Sequence, residues 1–291
     1  MKNALLKMHL AVFLWGFTGV LGRAITLREY PLVWYRTLIT AAIFFIILLY
    51  RREFVPVSRK EITRFMGIGS VIAIHWVAFY GSIKFANASI ALTCLSTAGI
   101  FTALLEPVIL RTRFNYREMF TGFLALIGMY CIYHFEMRYA MGIGLGLVAS
   151  LLSSWFTIMN KKIVSHYPAR MVAFYEIGSG SLLLSLLAPV YISVYPDVRF
   201  QPTGSDMLWL GVLSLCCTVW GQSLALSALK KLSSFTTVLM VNLEPVYGIL
   251  LAILFFHENK ELGWGFYTGI TLIACSVAVH TFSLAMNRKR N

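Results

Sequence analysis

Acidic residues are scarce in this sequence, and charge of either sign is thin. Asp and Glu number 12 in 291 residues, and all charged residues together make up 13%. Soluble domains carry about 25%. So few charges cannot cover a water-facing surface of this size, which excludes a soluble enzyme. Disorder is excluded from the other side, because 58% of the residues are hydrophobic and disordered chains are polar and highly charged. The five cysteines (Cys94, Cys131, Cys216, Cys217 and Cys275) all sit in apolar runs with no CxxC pair. Neither a disulfide framework nor a metal site is expected, and no cofactor. HExxH, GxSxG within a span and the P-loop are all missing, so the common intramembrane hydrolases and a self-contained ATP-driven pump lack their chemistry.

What is present is a series of long apolar runs without period-2 alternation, which predicts membrane-spanning helices rather than barrel strands. At about 20 residues per span the chain holds about ten. They are Leu5–Ile25, Leu32–Tyr50, Phe65–Phe85, Ser89–Leu110, Met119–Phe135, Ala140–Met159, Met171–Val194, Met207–Leu229, Ser234–Phe256 and Gly265–Met286. The first run continues past any small-residue cleavage pattern, so it reads as a span and not as a signal peptide.

The net charge of +13 would suggest nucleic acid in a soluble protein. Here it reports orientation, because Lys and Arg collect in cytoplasmic loops. Of the 25 basic residues, Arg23, Arg28, Lys84, Arg138, Arg199 and Lys260 fall on one side, Arg36 lies within a span, and the remaining 18 fall on the other side. That division predicts a multi-pass protein of the cytoplasmic membrane with both termini in the cytoplasm. Its partners are the lipid bilayer and a small molecule, with no role for nucleic acid.

The two halves repeat weakly. At an offset of 140, Trp15 meets Trp155 and Arg36 meets Glu176; at 144, Trp76 meets Trp220; at 147, Gly122 meets Gly269. A rival offset of 138 pairs Leu105–Val108 with Leu243–Val246 but breaks the drift. Five spans per half is odd, so the halves run oppositely through the membrane. The expected fold is an all-α membrane protein of ten helices in two inverted five-helix repeats, residues 1–138 and 139–291. Such repeats place a site near the midplane between them.

Trp15-Gly16-Phe17-Thr18, Pro31 followed by Arg36, and Leu243-Glu244-Pro245-Val246 followed by Glu258 and Gly269 resemble the EamA-type members of the drug/metabolite transporter superfamily. The resemblance implies a secondary transporter, usually an exporter of amino acids or other small metabolites. It also implies a central cavity formed by spans one, three and four with their repeat mates six, eight and nine. The first half departs from the pattern, because at an offset of 147 Ala98 stands opposite Pro245 and Arg111 opposite Glu258.

Ionisable groups within a bilayer are costly and therefore mark sites. Glu244 is the sharpest, because Pro245 removes a backbone hydrogen bond beside it. Pro107 and Pro245 are the expected helix breaks. His75 sits mid-span, and Trp15 and Trp220 lie well inside their spans, away from the interfacial belt where aromatics otherwise collect; Trp155, the repeat mate of Trp15, lies about a turn from the end of its span. With Tyr80 and Asn242 these residues form the expected substrate site. Arg36, Glu106 and Glu176 are gating or proton-coupling candidates, with the proton as the candidate coupling ion. Trp220 and Gln222, two residues apart, diverge on a helix and cannot both enter one narrow cavity. The reading is a transporter working by alternating access. A channel or facilitator, or an intramembrane enzyme, stands as the alternative.

Overall fold

The computed structural model describes residues 2–111 and 137–275, apart from 165, 242, 261 and 273, and scattered positions between 113 and 130. The described residues hold helices and no strand, as a backbone in lipid requires, because it must satisfy its own hydrogen bonds. Five helices are unbroken: α1 (Lys2–Ala24), α2 (Glu29–Arg51), α3 (Arg59–Phe85), α6 (Ala140–Ile163) and α7 (Ala169–Val194). The fourth span is split into α4 (Ala88–Leu95) and α5 (Ala98–Leu110). The eighth, α8 (Gly204–Leu229), contains a π-helical stretch at Leu213–Trp220. The ninth is split into α9 (Ser234–Val241) and α10 (Glu244–Phe256). Seven described segments are long and apolar enough to cross a membrane, with α10 a shorter apolar helix. The expected fifth and tenth spans lie largely outside the described residues, although 264–272 are helical.

Side-chain links at the helix ends fix the up-and-down order. At one face, Arg23 at the end of α1 pairs with Glu258 after α10, and Glu258 also accepts from Ser89 N (2.8 Å) at the start of α4. Thr26 N donates to Asp206 at the start of α8 (2.7 Å), and Lys84 at the end of α3 donates to Ile25 O (2.5 Å). At the other face, Arg170 at the start of α7 pairs with Glu53 beyond α2 (2.6 Å). There Lys161 and Lys162 at the end of α6 reach Leu229 O (2.7 Å) and Ile109 O (2.9 Å) at the ends of α8 and α5. Neighbouring spans therefore run antiparallel, and the loop carrying Arg51, Arg52, Arg59 and Lys60 belongs to this second, basic face.

The split spans make the repeat measurable. Ser234 follows Ala88 by 146 residues and Glu244 follows Ala98 by 146, so both half-helix pairs have lengths of 8 and 13 residues. Their caps match as well. Asn87 accepts from Ile90 N and Ser233 from Thr236 N, while Arg111 and His257 close α5 and α10 with positive φ of 56° and 53°. This spacing is one residue shorter than the sequence offset of 147, and it rejects the alignment at 138.

The expected break at Pro107 is corrected. Pro107 lies inside a continuous α5, where a proline near the helix end forfeits one backbone bond without parting the chain. The break falls at Ser96–Thr97, because α6 supplies the missing partners there. Ser154 donates to Ala98 O (2.8 Å), and Thr97 donates to Cys94 O (2.7 Å) while its hydroxyl oxygen accepts from Ser150 Oγ (3.0 Å). Serine and threonine can re-satisfy a broken membrane helix in this way. In the ninth span the break precedes Pro245, which opens α10, a position that needs no N–H.

Small residues set the closest crossings. A Cβ on Gly16 of α1 would stand 2.6 Å from Tyr247 Cβ of α10, and one on Gly180 of α7 would stand 2.8 Å from Gly69 O of α3. Gly146 of α6 lies against Cys94 of α4, where a Cβ would sit 2.7 Å from Cys94 Cβ.

Glu258 is fully buried and accepts from Arg23, Ala88 N, Ser89 N and Ser89 Oγ. Replacing Glu258 by Ala strands three buried donors at the start of α4. We expect a loss of about 2–3 kcal/mol of stability, read as a lower melting temperature of the purified protein. An unchanged melting temperature would deny this clasp its structural weight.

Candidate functional site

A cavity of about 940 Å³ of empty space, its mouth included, lies between the halves. The first repeat contributes α1, α2, α3 and the α4–α5 break, and the second contributes α6, α8 and the α9–α10 break. The lining mixes apolar and aromatic side chains with a few converging polar groups.

Arg36 of α2 is 2% exposed, yet it has no ion-pair partner among the described residues. Its guanidinium lies 3.8 Å from the ring centroid of Trp76, an arrangement that attracts a cation when water is excluded. Nε donates to Thr218 Oγ1 and Nη1 to Tyr80 Oη, each at 2.9 Å. These bonds spread the charge and fix the plane of the group, leaving Nη2 without an acceptor among the described residues.

Glu244 stands at the first residue of α10, where the helix dipole favours negative charge. Thr18 Oγ1 donates to its Oε1 (3.3 Å), and Oε2 has no partner among the described residues. Thr18 lies one helical turn from Trp15, whose Nε1 donates to Cys217 O (2.9 Å) in the π-helical stretch. Gly221 leaves room for that indole, because a Cβ there would stand 2.6 Å from Trp15 Nε1. The cavity therefore holds a guanidinium and a carboxylate that do not pair with each other.

The apolar part of the wall is aromatic. His75 stacks on Phe79 (centroids 6.4 Å, 11°) and meets Phe156 edge-on (5.3 Å, 71°). Its Nδ1 is 2.7 Å from Ala149 O. That contact makes Nδ1 the donor and leaves Nε2 as the acceptor.

Trp15, His75 and Glu244 of the expected substrate site share this cavity. Tyr80 is fully buried behind Arg36. Trp155 is half-buried outside the lining, although Phe156 and Thr157 beside it face the cavity. Asn242 lies outside the described residues. Trp220 is corrected, since it is 53% exposed and points out of the bundle, while Gln222 takes the cavity position. The i→i+5 winding at Leu213–Trp220 shifts the phase of α8, which no apolar pattern reports. Of the gating candidates, Arg36 belongs to the cavity itself and Glu176 is fully buried in α7 against Asn160. Glu106 is half-buried late in α5, in the electrostatic reach of Lys161. Sequence reasoning assigned no site role to Thr18, Thr218, Phe156 or Thr237. Of these, Thr18 alone carried a signal, its i+3 spacing from Trp15.

Two inverted helical units around a shared polar cavity define a membrane transporter. Residues 2–134 and 140–282 each match the EamA-like transporter family, and the chain belongs to that family. It is 23% identical over 241 residues to an uncharacterized transporter of Synechocystis sp., covering 79% of this chain and 68% of that protein. An uncharacterized transporter of Archaeoglobus fulgidus is 22% identical over 274 residues, covering 92% of this chain and 94% of that protein. A solved structure described only as a crystal structure of a protein superposes with a TM-score of 0.70 at 17% identity. That superposition covers 97% of this chain and 98% of the other, a likeness of fold.

Gly221→Val tests the seat of Trp15. The added side chain displaces the indole from Cys217 O, and over-packing of this kind costs about 1–3 kcal/mol. A lower melting temperature is expected; a wild-type value would mean that the indole has no fixed seat there.

Proposed function

We propose that this transporter is a secondary carrier of small zwitterionic metabolites, amino acids or close relatives, which it exports by alternating access. The observation that carries the reading is the unpaired couple Arg36 and Glu244 facing one cavity. A substrate carboxylate completes Arg36 at Nη2, and a substrate ammonium completes Glu244 at Oε2. Each charge is expensive in lipid until its partner arrives. Phe79, Phe156 and Leu226 offer apolar area to the remainder of the substrate. Glu244 takes either the ammonium or a proton, which makes the proton the exchange ion.

The basic face is taken as cytoplasmic under the positive-inside rule, with both termini there and the protein in the cytoplasmic, or inner, membrane. The cavity lining runs to Asn160, Leu229 and Thr237 near that face, whereas the networks of Glu258 and Asp206 tie the opposite face. This is an inward-facing arrangement. Residues 1–138 and 139–291 are the units that rearrange, and the outer ties must open when they do.

The test is counterflow in proteoliposomes loaded with unlabelled amino acids and offered labelled tryptophan, phenylalanine, threonine or cysteine. Saturable accumulation that collapses without the internal pool is the expected result. Accumulation that never saturates would indicate a channel, and none at all from folded protein would remove these substrates. Arg36→Ala should weaken half-saturation about 30-fold, from about 2 kcal/mol for one lost charge-assisted hydrogen bond. Glu244→Gln should lower transport and remove its pH dependence; transport unchanged in both respects would overturn the role of Glu244.

A further inference from the structure

The buried carboxyl of Glu176 is a polar group that the substrate reading does not use. It lies in α7 with zero exposure, and its one side-chain hydrogen bond comes from Asn160 Nδ2 to Oε2 (3.4 Å). Two buried oxygens in this pair have no partner among the described residues: Oε1 of Glu176 and Oδ1 of Asn160. Both are acceptors when the carboxyl is ionised, so neither can satisfy the other. One proton on Oε1 changes that. The acid O–H then donates to the amide oxygen while the amide N–H donates to the acid oxygen, a closed two-bond ring that leaves no orphan. Buried polar atoms are paired in nearly every folded protein, and the proton is the missing member here.

Among the described residues, the surroundings offer no substitute cation. On α3, Gly69 presses on the Glu176 backbone with no side chain to contribute, and His75 is bonded to Ala149 O. On α6, Lys161 is engaged with the Leu229 and Leu232 carbonyls. On α2, Arg36 faces Trp76, Tyr80 and Thr218. On α7 itself, Arg170 is paired with Glu53, and Tyr175 is stacked on Phe65. Ser179 donates to the Glu176 backbone carbonyl and not to the carboxyl (2.9 Å). Asn160 lines the cavity, so the pair forms part of the cavity wall and its proton has one side from which to arrive.

We propose that Glu176 and Asn160 form a proton-binding site in the cavity wall, occupied as a neutral acid–amide pair. Binding takes one proton from the cavity onto Oε1, and release returns it there and leaves a buried carboxylate. The pair itself is independent of which substrate the cavity carries; only the route of the proton rests on the transport reading.

The experiment is infrared spectroscopy of the purified protein in lipid vesicles, titrated with pH. In the Glu244→Gln background, which removes the other carboxyl that takes a proton, a protonated-carboxyl C=O band is expected that vanishes when Glu176→Gln is added. The glutamine keeps both hydrogen bonds to Asn160, so that variant should fold. Asn160→Ala retains Glu176 and should move the band to higher frequency, which tests the pair even if the glutamine variant is unstable. In that background, no band at all, a band that survives Glu176→Gln, or one that ignores Asn160→Ala overturns the proposal. No substrate is needed, so counterflow that fails while this band behaves as expected would remove the substrates tested there and leave the proton site standing.

Discussion

Hydrocarbon offers no hydrogen bonds, and the architecture depends on that constraint. Every polar group freed by a helix break or carried into the bundle must find its partner in the protein. The break at Ser96–Thr97 exists where Ser150 and Ser154 of α6 reach its carbonyls and hydroxyls. In the π-helical stretch of α8, the Cys217 carbonyl accepts from Trp15. Arg36, which no carboxylate among the described residues neutralises, is held by an aromatic face, a phenol and a threonine. Arg36, Glu244 and Asn160, each with a polar atom left without a partner among the described residues, all line the cavity.

The two repeats share their scaffold and differ in their chemistry. Each has a split span of 8 and 13 residues with a capped start and a left-handed end. The second break presents Glu244 at a helix N-terminus, whereas the equivalent place in the first repeat is Ala98. Glu258, just beyond the left-handed end of α10, reaches across to cap α4. Structural duplication makes the cavity, and sequence divergence makes it asymmetric. A cavity with its cation on α2 and its anion on α10 presents one orientation to a molecule that carries both charges.

Close packing and polar closure serve different faces of the same helices. The glycines of α1 admit α10, α4 and α3 at short range, with Gly22 against Tyr80. The ties at the helix ends then lock one face through the Glu258 and Asp206 networks. Close glycine crossings and discrete charged ties thus sit on the same helices, the ties gathered at their ends.

The sequence by itself determined the class of the protein, the helical spans, their antiparallel order and the duplication. All of these follow from hydropathy, charge placement and residue spacing. It also singled out Glu244, Trp15 and His75, because polar and aromatic groups in the middle of an apolar run are conspicuous. Only the tertiary structure decided which side of each helix meets the cavity. Trp220 and Gln222 are two residues apart, and the i→i+5 winding of Leu213–Trp220 turned the glutamine inward. Pro107 looked like the break, but the break went to Ser96–Thr97, since a helix parts where a neighbour can satisfy what it exposes. Arg36 stood out in the sequence only as a gating or proton-coupling candidate and became the cation of the cavity, because Trp76, Tyr80 and Thr218 converge on it from α3 and α8. Those outcomes depend on contacts between helices distant in sequence, and no local pattern encodes them.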